Sequence, residues 1–142
     1  MSKKSRDIEL FLFDIYVAIL KIEDIRQEFE DADELLYDYR AWDSIIREFT
    51  IIGEASKHLI NKKLLKDEHK IVVDFRNFIV HEYFGIDAQE IWDTVCNDLD
   101  DFKESILKLI KDIKSDKKTA LMKAYIKDND KYNFIVKGLK EI

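Results

Sequence analysis

The chain has 142 residues, which suits one domain with a single hydrophobic core. Hydrophobic residues make up 46% of it and charged residues 38%, a balance that excludes an intrinsically disordered chain. No stretch approaches the roughly 20 apolar residues that a membrane-spanning helix needs. The first residues also lack the apolar run of a secretory signal, so we expect a cytoplasmic protein that does not enter a membrane.

The net charge of −6 weakly disfavours non-specific binding to nucleic acids. The charge is unevenly distributed, because residues 103–142 carry 11 lysines and 6 acids, whereas residues 1–102 carry 13 basic and 24 acidic side chains. An acidic front and a basic tail are compatible with RNA binding at one place and repulsion elsewhere.

The absence of proline and the presence of only 3 glycines predict long, uninterrupted helices. Apolar residues recur at steps of three and four from about Ser5 to Glu30 and again from about Asp33 to Asn61, which predicts two amphipathic helices. A third helix is predicted from about Glu68 to Tyr83, followed by Gly85 at the position of a left-handed cap.

The rest of the chain predicts further helices. Asp87 and Glu90 have the spacing of a capping box, which predicts that a fourth helix begins at Asp87. The tail predicts one or two short helices broken near Asp128. We therefore expect an all-α protein, with an antiparallel four-helix bundle over residues 1–114 and a basic helical extension over residues 115–142, packed on or next to the bundle.

The third predicted helix carries an unusual set of polar side chains in the segment DFRNFIVHEYFGID. Arg76 and Tyr83 lie on nearly the same line of the helix, and Asn77 and His81 are four residues apart and can touch. Arg76 and His81 diverge by about 140° on a straight helix, so one chain does not readily aim both at one atom. A site at a two-fold dimer interface would relax this constraint. Geometry alone leaves open whether the set is an active site or a cluster of ordinary surface residues.

Other candidates for chemistry are weaker. The chain has no glycine-rich phosphate loop, and His58, His69 and His81 lack metal-ligand spacing, so we expect neither a metal nor a cofactor. We predict that His58 and His69 are ordinary surface residues. With Val95 beside it, Cys96 is predicted to be a small core residue and not a nucleophile.

The segment RNFIVHEY resembles the R-x4-H-x-Y signature of the HEPN superfamily and, more narrowly, that of the HepT toxins of HEPN/MNT toxin–antitoxin modules. The resemblance extends to FRNFIVHEYFGID, to REFTIIGEASKHL at residues 47–59 and to the later IWDTVCNDL, and it covers roughly residues 5–113. The chain departs from the family in having no proline before the motif helix. Its basic tail after about Lys114 also lies outside the usual domain.

This resemblance implies a metal-independent endoribonuclease whose active sites form at a homodimer interface. By motif position, His81 is expected to be the general acid/base and Arg76 to stabilise charge on the phosphate, with Asn77 in support. Histidine titrates near neutrality and arginine presents a fixed fork to phosphate oxygens, so both suit attack by a 2′-hydroxyl. The implied product is a 2′,3′-cyclic phosphate, and the implied substrate is tRNA.

Tyr83 resembles the residue that the partner MNT nucleotidyltransferase of such a module modifies with AMP. The added negative charge and bulk would oppose the entry of RNA. The alternative is a capping tyrosine that packs on Phe84.

An RNA substrate also needs a locally positive surface on this acidic chain. In the tail, aromatic residues alternate with lysines, a mixture that could hold RNA by stacking and charge; a solvated helical face with core aromatics is the alternative. The candidate RNA contacts are Arg40, Arg47, Lys117, Lys118 and Lys123.

Two other functions stay open at this point. One is a non-catalytic helical partner that only binds and regulates a nucleotidyltransferase. HEPN domains of that kind often lose the Arg–His pair, so the presence of Arg76 and His81 favours the enzyme. The other is an unrelated helical binding protein, which would require the motif to be a coincidence.

Overall fold

The computed structural model describes residues 7–65, 69 and 86–142. All regular secondary structure in these ranges is helical, which confirms the predicted all-α class. No helix within them is long and apolar enough to cross a bilayer. Most of the third predicted helix, from about Glu68 to Tyr83, lies outside the described residues.

The described α-helices are numbered in chain order, and a π-helical segment, Thr94–Asp98, joins the fourth to the fifth. Their bounds are α1 Ile8–Arg26, α2 Ala32–Tyr37, α3 Tyr39–Asn61, α4 Ala88–Asp93, α5 Leu99–Lys111, α6 Ser115–Asp128 and α7 Asn133–Lys140.

The second predicted helix is interrupted at Asp38, so the prediction of one helix from about Asp33 to Asn61 is wrong. The backbone of Asp38 is extended, with φ −92° and ψ 92°. Its carboxylate accepts a hydrogen bond from the backbone N–H of Ala41 at 3.1 Å. Such a cap satisfies a donor that a helix start leaves without a partner, and it therefore favours a new start at this point.

The first helix is also shorter than predicted. It ends at Arg26 and not near Glu30. Asp31 then caps α2, because its carboxylate accepts a hydrogen bond from the backbone N–H of Glu34 at 2.9 Å. The extra residues predicted for helix one therefore belong to the turn before this cap.

The predicted cap of the fourth helix is confirmed. The Asp87 carboxylate accepts hydrogen bonds from the backbone N–H groups of Gln89 at 2.8 Å and Glu90 at 3.4 Å. The helical region that follows contains the π-helical segment.

The centre of the core lies along α1, which packs against α3 and α5. Of the predicted stripe, Ile15, Ile19 and Ile22 are buried, but α1 also buries most residues between Leu12 and Leu20, so its buried surface is wider than one stripe. Three phenylalanines from three helices, Phe13, Phe49 and Phe102, are almost completely buried. Burial of each such side chain contributes about 1.5–3 kcal/mol.

The tail folds back onto α1 through Tyr125. The Tyr125 hydroxyl donates a hydrogen bond to Asp14 Oδ1 at 2.6 Å, and its oxygen lies 3.2 Å from the Leu10 carbonyl oxygen. The break predicted near Asp128 is confirmed, because α6 ends there. The predicted division near residue 114 stays a prediction, since these contacts join the tail to α1 without marking a boundary.

Helix α7 approaches α1 closely at Gly138. A side chain there would place its Cβ only 2.7 Å from Leu20 Cδ1. The Gly138 carbonyl accepts a hydrogen bond from the buried Tyr16 hydroxyl at 2.8 Å. Burial, followed by the nearby charge of Glu141, raises the pKa of Tyr16 to about 12, so the phenol keeps the proton that it donates.

Candidate functional site

The predicted catalytic residues belong to a segment that lies between two described parts of the chain. The four residues of the motif fall within residues 70–85, outside the described residues, and their roles stay predictions: Arg76, Asn77, His81 and Tyr83. His69 is the last described residue before this segment, and Ile86 is the first described residue after it. The contacts of His69 and Ile86 show how the chain packs on each side of the motif.

His69 fixes the chain before the motif. Its Nε2 atom lies 2.9 Å from the Ser105 hydroxyl oxygen on α5, and its ring meets Phe102 edge-on with the ring centroids 5.5 Å apart. The sequence predicted an ordinary surface residue, whereas His69 is half-buried against the core. This contact could not be read from the sequence, because Ser105 is 36 residues away.

Ile86 and Asp87 fix the chain after the motif. Ile86 is partly buried against the core, and Asp87 caps α4, which packs on α2. The described residues on either side of the motif segment therefore contact the helical core.

Cys96 lies within the π-helical segment. It is partly buried against the core, in agreement with the prediction of a packing role. The Arg26 guanidinium lies 5.3 Å from the centroid of the Trp92 ring, and its Nη2 atom lies 3.5 Å from Cys96 Sγ. Arg26 thereby connects the end of α1 to α4 and to the π-helical segment.

The two arginines predicted to contact RNA lie on α3. Both are exposed, and the Arg40 guanidinium lies 5.8 Å from the centroid of the neighbouring Tyr39 ring. Arg47 lies two turns further along the helix. Their contact with RNA stays a prediction.

The three lysines predicted to contact RNA differ in their surroundings. Lys117 Nζ lies 3.3 Å from a carboxylate oxygen of Glu9 and 3.3 Å from one of Asp7. Hydrogen bonds with Glu9 and then Asp7 raise the pKa of Lys117. Lys118 is half-buried and Lys123 is exposed. Because Lys117 already pairs with two carboxylates, Lys123 is the more accessible contact for a phosphate.

Glu48 is a functional candidate that was not predicted from the sequence. It lies on α3 and exposes only 7% of its surface. No hydrogen bond or ion pair to its carboxyl group forms within the described residues. Burial raises the pKa of Glu48, and the nearby charges of Lys21 and Arg47 only partly oppose this effect.

A signal for Glu48 was present in the sequence. Residues Ile45, Glu48, Ile52, Ala55 and Leu59 recur at steps of three and four along one face of α3, and all five are buried. A carboxyl group in the middle of such a stripe conflicts with the hydrophobic pattern, and such conflicts are often functional.

Glu48→Gln is expected to stabilise the protein at neutral pH, by about 1 kcal/mol or roughly 2–4 °C in Tm. The raised pKa means that the folded state binds the Glu48 proton more tightly than the unfolded state does. Wild-type stability therefore falls as pH rises from the ordinary carboxyl pKa through the raised one. The advantage of the variant should be full above this window and should vanish below it. Thermal unfolding in amine-free buffers at several pH values measures the difference.

Glu104→Gln is the matched control, since it removes an exposed carboxyl group from α5. The control should lie within about 0.5 kcal/mol of wild type at every pH. A Glu48→Gln protein that is less stable than wild type at neutral pH would contradict this account of the buried carboxyl group.

His58 is exposed, as predicted, and stacks on Phe11 of α1 with the ring centroids 4.3 Å apart. Within residues 7–65, 69 and 86–142, no group of three or more histidine, cysteine or acidic side chains is placed to hold a metal ion. Because His58 is exposed and lies outside the motif, it can serve as a control histidine.

A comparison with protein families matches one family over a range that includes the motif. Residues 15–109 match the model of the family described as "Ribonuclease HepT-like". This range includes the second part of α1, the motif segment and nearly all of α5, and it excludes α6 and α7. No solved structure matches the chain.

Three similar proteins carry related names. "Probable ribonuclease HepT" of Thermococcus cleftensis is 38% identical over 106 residues, which are 71% of this chain and 94% of that protein. "Putative RNase MJ0127" of Methanocaldococcus jannaschii is 31% identical over 119 residues, 82% of this chain and 98% of that protein. A longer protein of the same organism, "Gamma-glutamylcyclotransferase and putative RNase MJ0434", is 29% identical over 94% of this chain, which spans only 56% of its length.

Proposed function

Because the chain belongs to the HepT-like ribonuclease family, we propose that it is a metal-independent endoribonuclease that uses Arg76 and His81 for catalysis. The observation that carries the proposal is the position of RNFIVHEY inside the matched range, residues 15–109. The match supports the class of activity, and the motif supplies side chains that suit it.

The proposed reaction is an attack by the ribose 2′-hydroxyl on the adjacent phosphorus. His81 removes a proton from the 2′-oxygen or delivers one to the departing 5′-oxygen, which is work for a group that titrates near neutral pH. Arg76 donates hydrogen bonds to the non-bridging oxygens, where negative charge grows in the transition state. Asn77, four residues before His81, supports the imidazole or the phosphate. The product is a 2′,3′-cyclic phosphate.

The proposed assembly is a homodimer of antiparallel four-helix bundles, with the active site at the two-fold axis. The divergence of Arg76 and His81 around a straight helix supports this arrangement. The proposed setting is a toxin–antitoxin module in which an MNT nucleotidyltransferase silences the enzyme by attaching AMP to Tyr83. The proposed substrate is tRNA.

The test is RNA cleavage by purified protein in the presence of EDTA. Wild type is expected to degrade a tRNA pool and to leave 2′,3′-cyclic phosphate ends, which a phosphatase-resistance assay detects. His81→Ala should lose at least 100-fold in rate, since general acid–base catalysis contributes about 10²–10⁴-fold.

His58→Ala is the matched control, because it removes an exposed histidine outside the motif. It should cleave at the wild-type rate. If wild type and His81→Ala leave the RNA equally intact, the ribonuclease proposal fails and a purely regulatory partner of a nucleotidyltransferase becomes the better reading.

A further inference from the structure

The C-terminal end of α3 carries a local concentration of positive charge. Residues 55–65 contain three lysines and no acidic residue. These lysines are all exposed, and we call them the α3 lysine surface: Lys57, Lys62 and Lys63. The nearest carboxylate on the helix belongs to Glu54, about one turn before Lys57. On a chain with a net charge of −6, such a stretch is a place where an anion can approach.

The backbone of Lys63 adopts a conformation that lysine rarely takes. Its φ is 60°, and within the described residues it is the only non-glycine residue with a positive φ. The Lys63 N–H donates to the Ile60 carbonyl at 2.9 Å, and the Leu64 N–H donates to the Leu59 carbonyl at 2.9 Å. These two hydrogen bonds form the helix-ending motif in which glycine most often occupies the left-handed position.

A lysine at this left-handed position costs stability that glycine would not, because its Cβ crowds the backbone. The helix dipole favours a lysine anywhere near the end of α3, so it does not account for the use of this strained position. Strained backbone of this kind is often retained at functional sites. The conformation of Lys63 therefore indicates that its side chain has a role outside the fold.

The carboxylates at the neighbouring end of α1 already have a cation of their own. The His58 ring stacks on Phe11 of α1, which places the end of α3 beside the start of α1. The two acids at that start, Asp7 and Glu9, both pair with Lys117 at 3.3 Å. They therefore oppose the charge of the α3 lysine surface less than two unpaired carboxylates would.

The other end of α3 has the opposite charge. Residues 28–43 contain one basic residue, Arg40, and seven acids: Glu28, Glu30, Asp31, Asp33, Glu34, Asp38 and Asp43. Helix α3 has 23 residues and is about 35 Å long, several times the Debye length of roughly 8 Å at physiological salt. The two ends therefore act separately on a charged molecule, and a polyanion is attracted only to the lysine end.

We propose that the α3 lysine surface binds the phosphate backbone of the RNA substrate, an inference that rests on the proposed ribonuclease function. Three ammonium groups within seven residues can pair with neighbouring phosphates and release the counterions condensed on the RNA. The surface comes shortly before the motif in the chain, since His69, which contacts Ser105 of α5, follows Lys63 by six residues. It therefore binds RNA where the chain leads into the motif segment.

The first experiment measures binding of a fluorescent bulk tRNA pool to full-length His81→Ala protein in EDTA at several salt concentrations. The surface variant replaces each lysine of the α3 lysine surface by glutamine. Its affinity should fall roughly 30-fold, and the slope of log affinity against log salt should decrease by about two to three. The matched control has the same change in net charge on exposed residues of the tail, Lys127→Gln, Lys137→Gln and Lys140→Gln, and should lose less than about threefold.

Lys63→Gly separates binding from folding, because its two expected effects have opposite signs. Glycine relieves the left-handed backbone, so Tm should rise by about 2 °C, while the affinity for tRNA falls about threefold. Lys62→Gly removes the same charge at a residue whose φ is −88°, so it should weaken binding equally without a rise in Tm. If Lys63 had a purely structural role, Lys63→Gly would leave the affinity for tRNA unchanged.

Two results would overturn the proposal. One is an equal loss of affinity in the surface variant and the tail control, because overall charge would then account for binding. The other is unchanged tRNA binding together with weaker self-association of the surface variant in sedimentation, which would assign the lysines to an acidic surface of a second copy. Cleavage is measured separately, so a protein that binds tRNA through these lysines without cleaving it would refute the ribonuclease proposal and retain the binding surface.

Discussion

A dimer that combines one Arg76→Ala chain with one His81→Ala chain is expected to cleave RNA at about half the wild-type rate, although each homodimeric variant loses at least 100-fold. The reason lies in helix geometry. Arg76 and His81 are five positions apart, so the two diverge by about 140° on a straight helix. If each active site takes Arg76 from one chain and His81 from the other, the mixed dimer contains one intact site and one site that lacks both groups.

The measurement uses two affinity tags, one on each variant, and two successive purifications of co-expressed dimers. A reciprocal control makes the result decisive. Wild type paired with an Arg76→Ala, His81→Ala double variant has one defect in every shared site, and this dimer should be inactive. Single-turnover rates on one tRNA compare the two dimers directly.

The opposite pattern would place Arg76 and His81 of each site in one chain. In that case the first mixed dimer would be inactive and the reciprocal one would keep about half of the activity, because it retains one wild-type chain. The proposed ribonuclease function would survive this result, whereas the shared-site geometry would not.

Attachment of AMP to Tyr83 is expected to abolish RNA cleavage. AMP adds a charged phosphate and a bulky adenosine two residues from His81, and both oppose the approach of an RNA phosphate. Co-expression with an MNT nucleotidyltransferase should add the mass of AMP to the peptide that contains Tyr83, as intact-mass and peptide mass spectrometry would show. The modified protein should lose at least 100-fold in cleavage rate, the size of effect expected when the general acid/base is blocked.

Tyr83→Phe should prevent both the mass change and the loss of activity. Tyr37→Phe is the matched control, since Tyr37 is 83% exposed on α2 and is an accessible tyrosine outside the motif. An AMP adduct on Tyr37, or a Tyr83 adduct that leaves cleavage unchanged, would contradict the proposed switch.

The helical elements could be predicted well because their signal is local. Steps of three and four between apolar residues identified α1 and α3, and the Asp87 cap was visible from its spacing to Glu90. The break at Asp38 was missed because the apolar stripe continues across it. An aspartate that serves as a cap competes with helix continuation, and periodicity does not detect this competition.

The sequence by itself determined the class of fold and the family, and it supplied Arg76, Asn77, His81 and Tyr83 as the proposed chemistry. These conclusions depend on residues that are near one another in the chain. The tertiary structure alone decided that Tyr125 holds the tail to Asp14 across 111 residues, that His69 meets Ser105, and that Glu48 faces a cavity. Contacts of this kind depend on how separate helices pack. A single sequence records the period of each helix but not which polar side chains the packing of helices will bring together or leave without a partner.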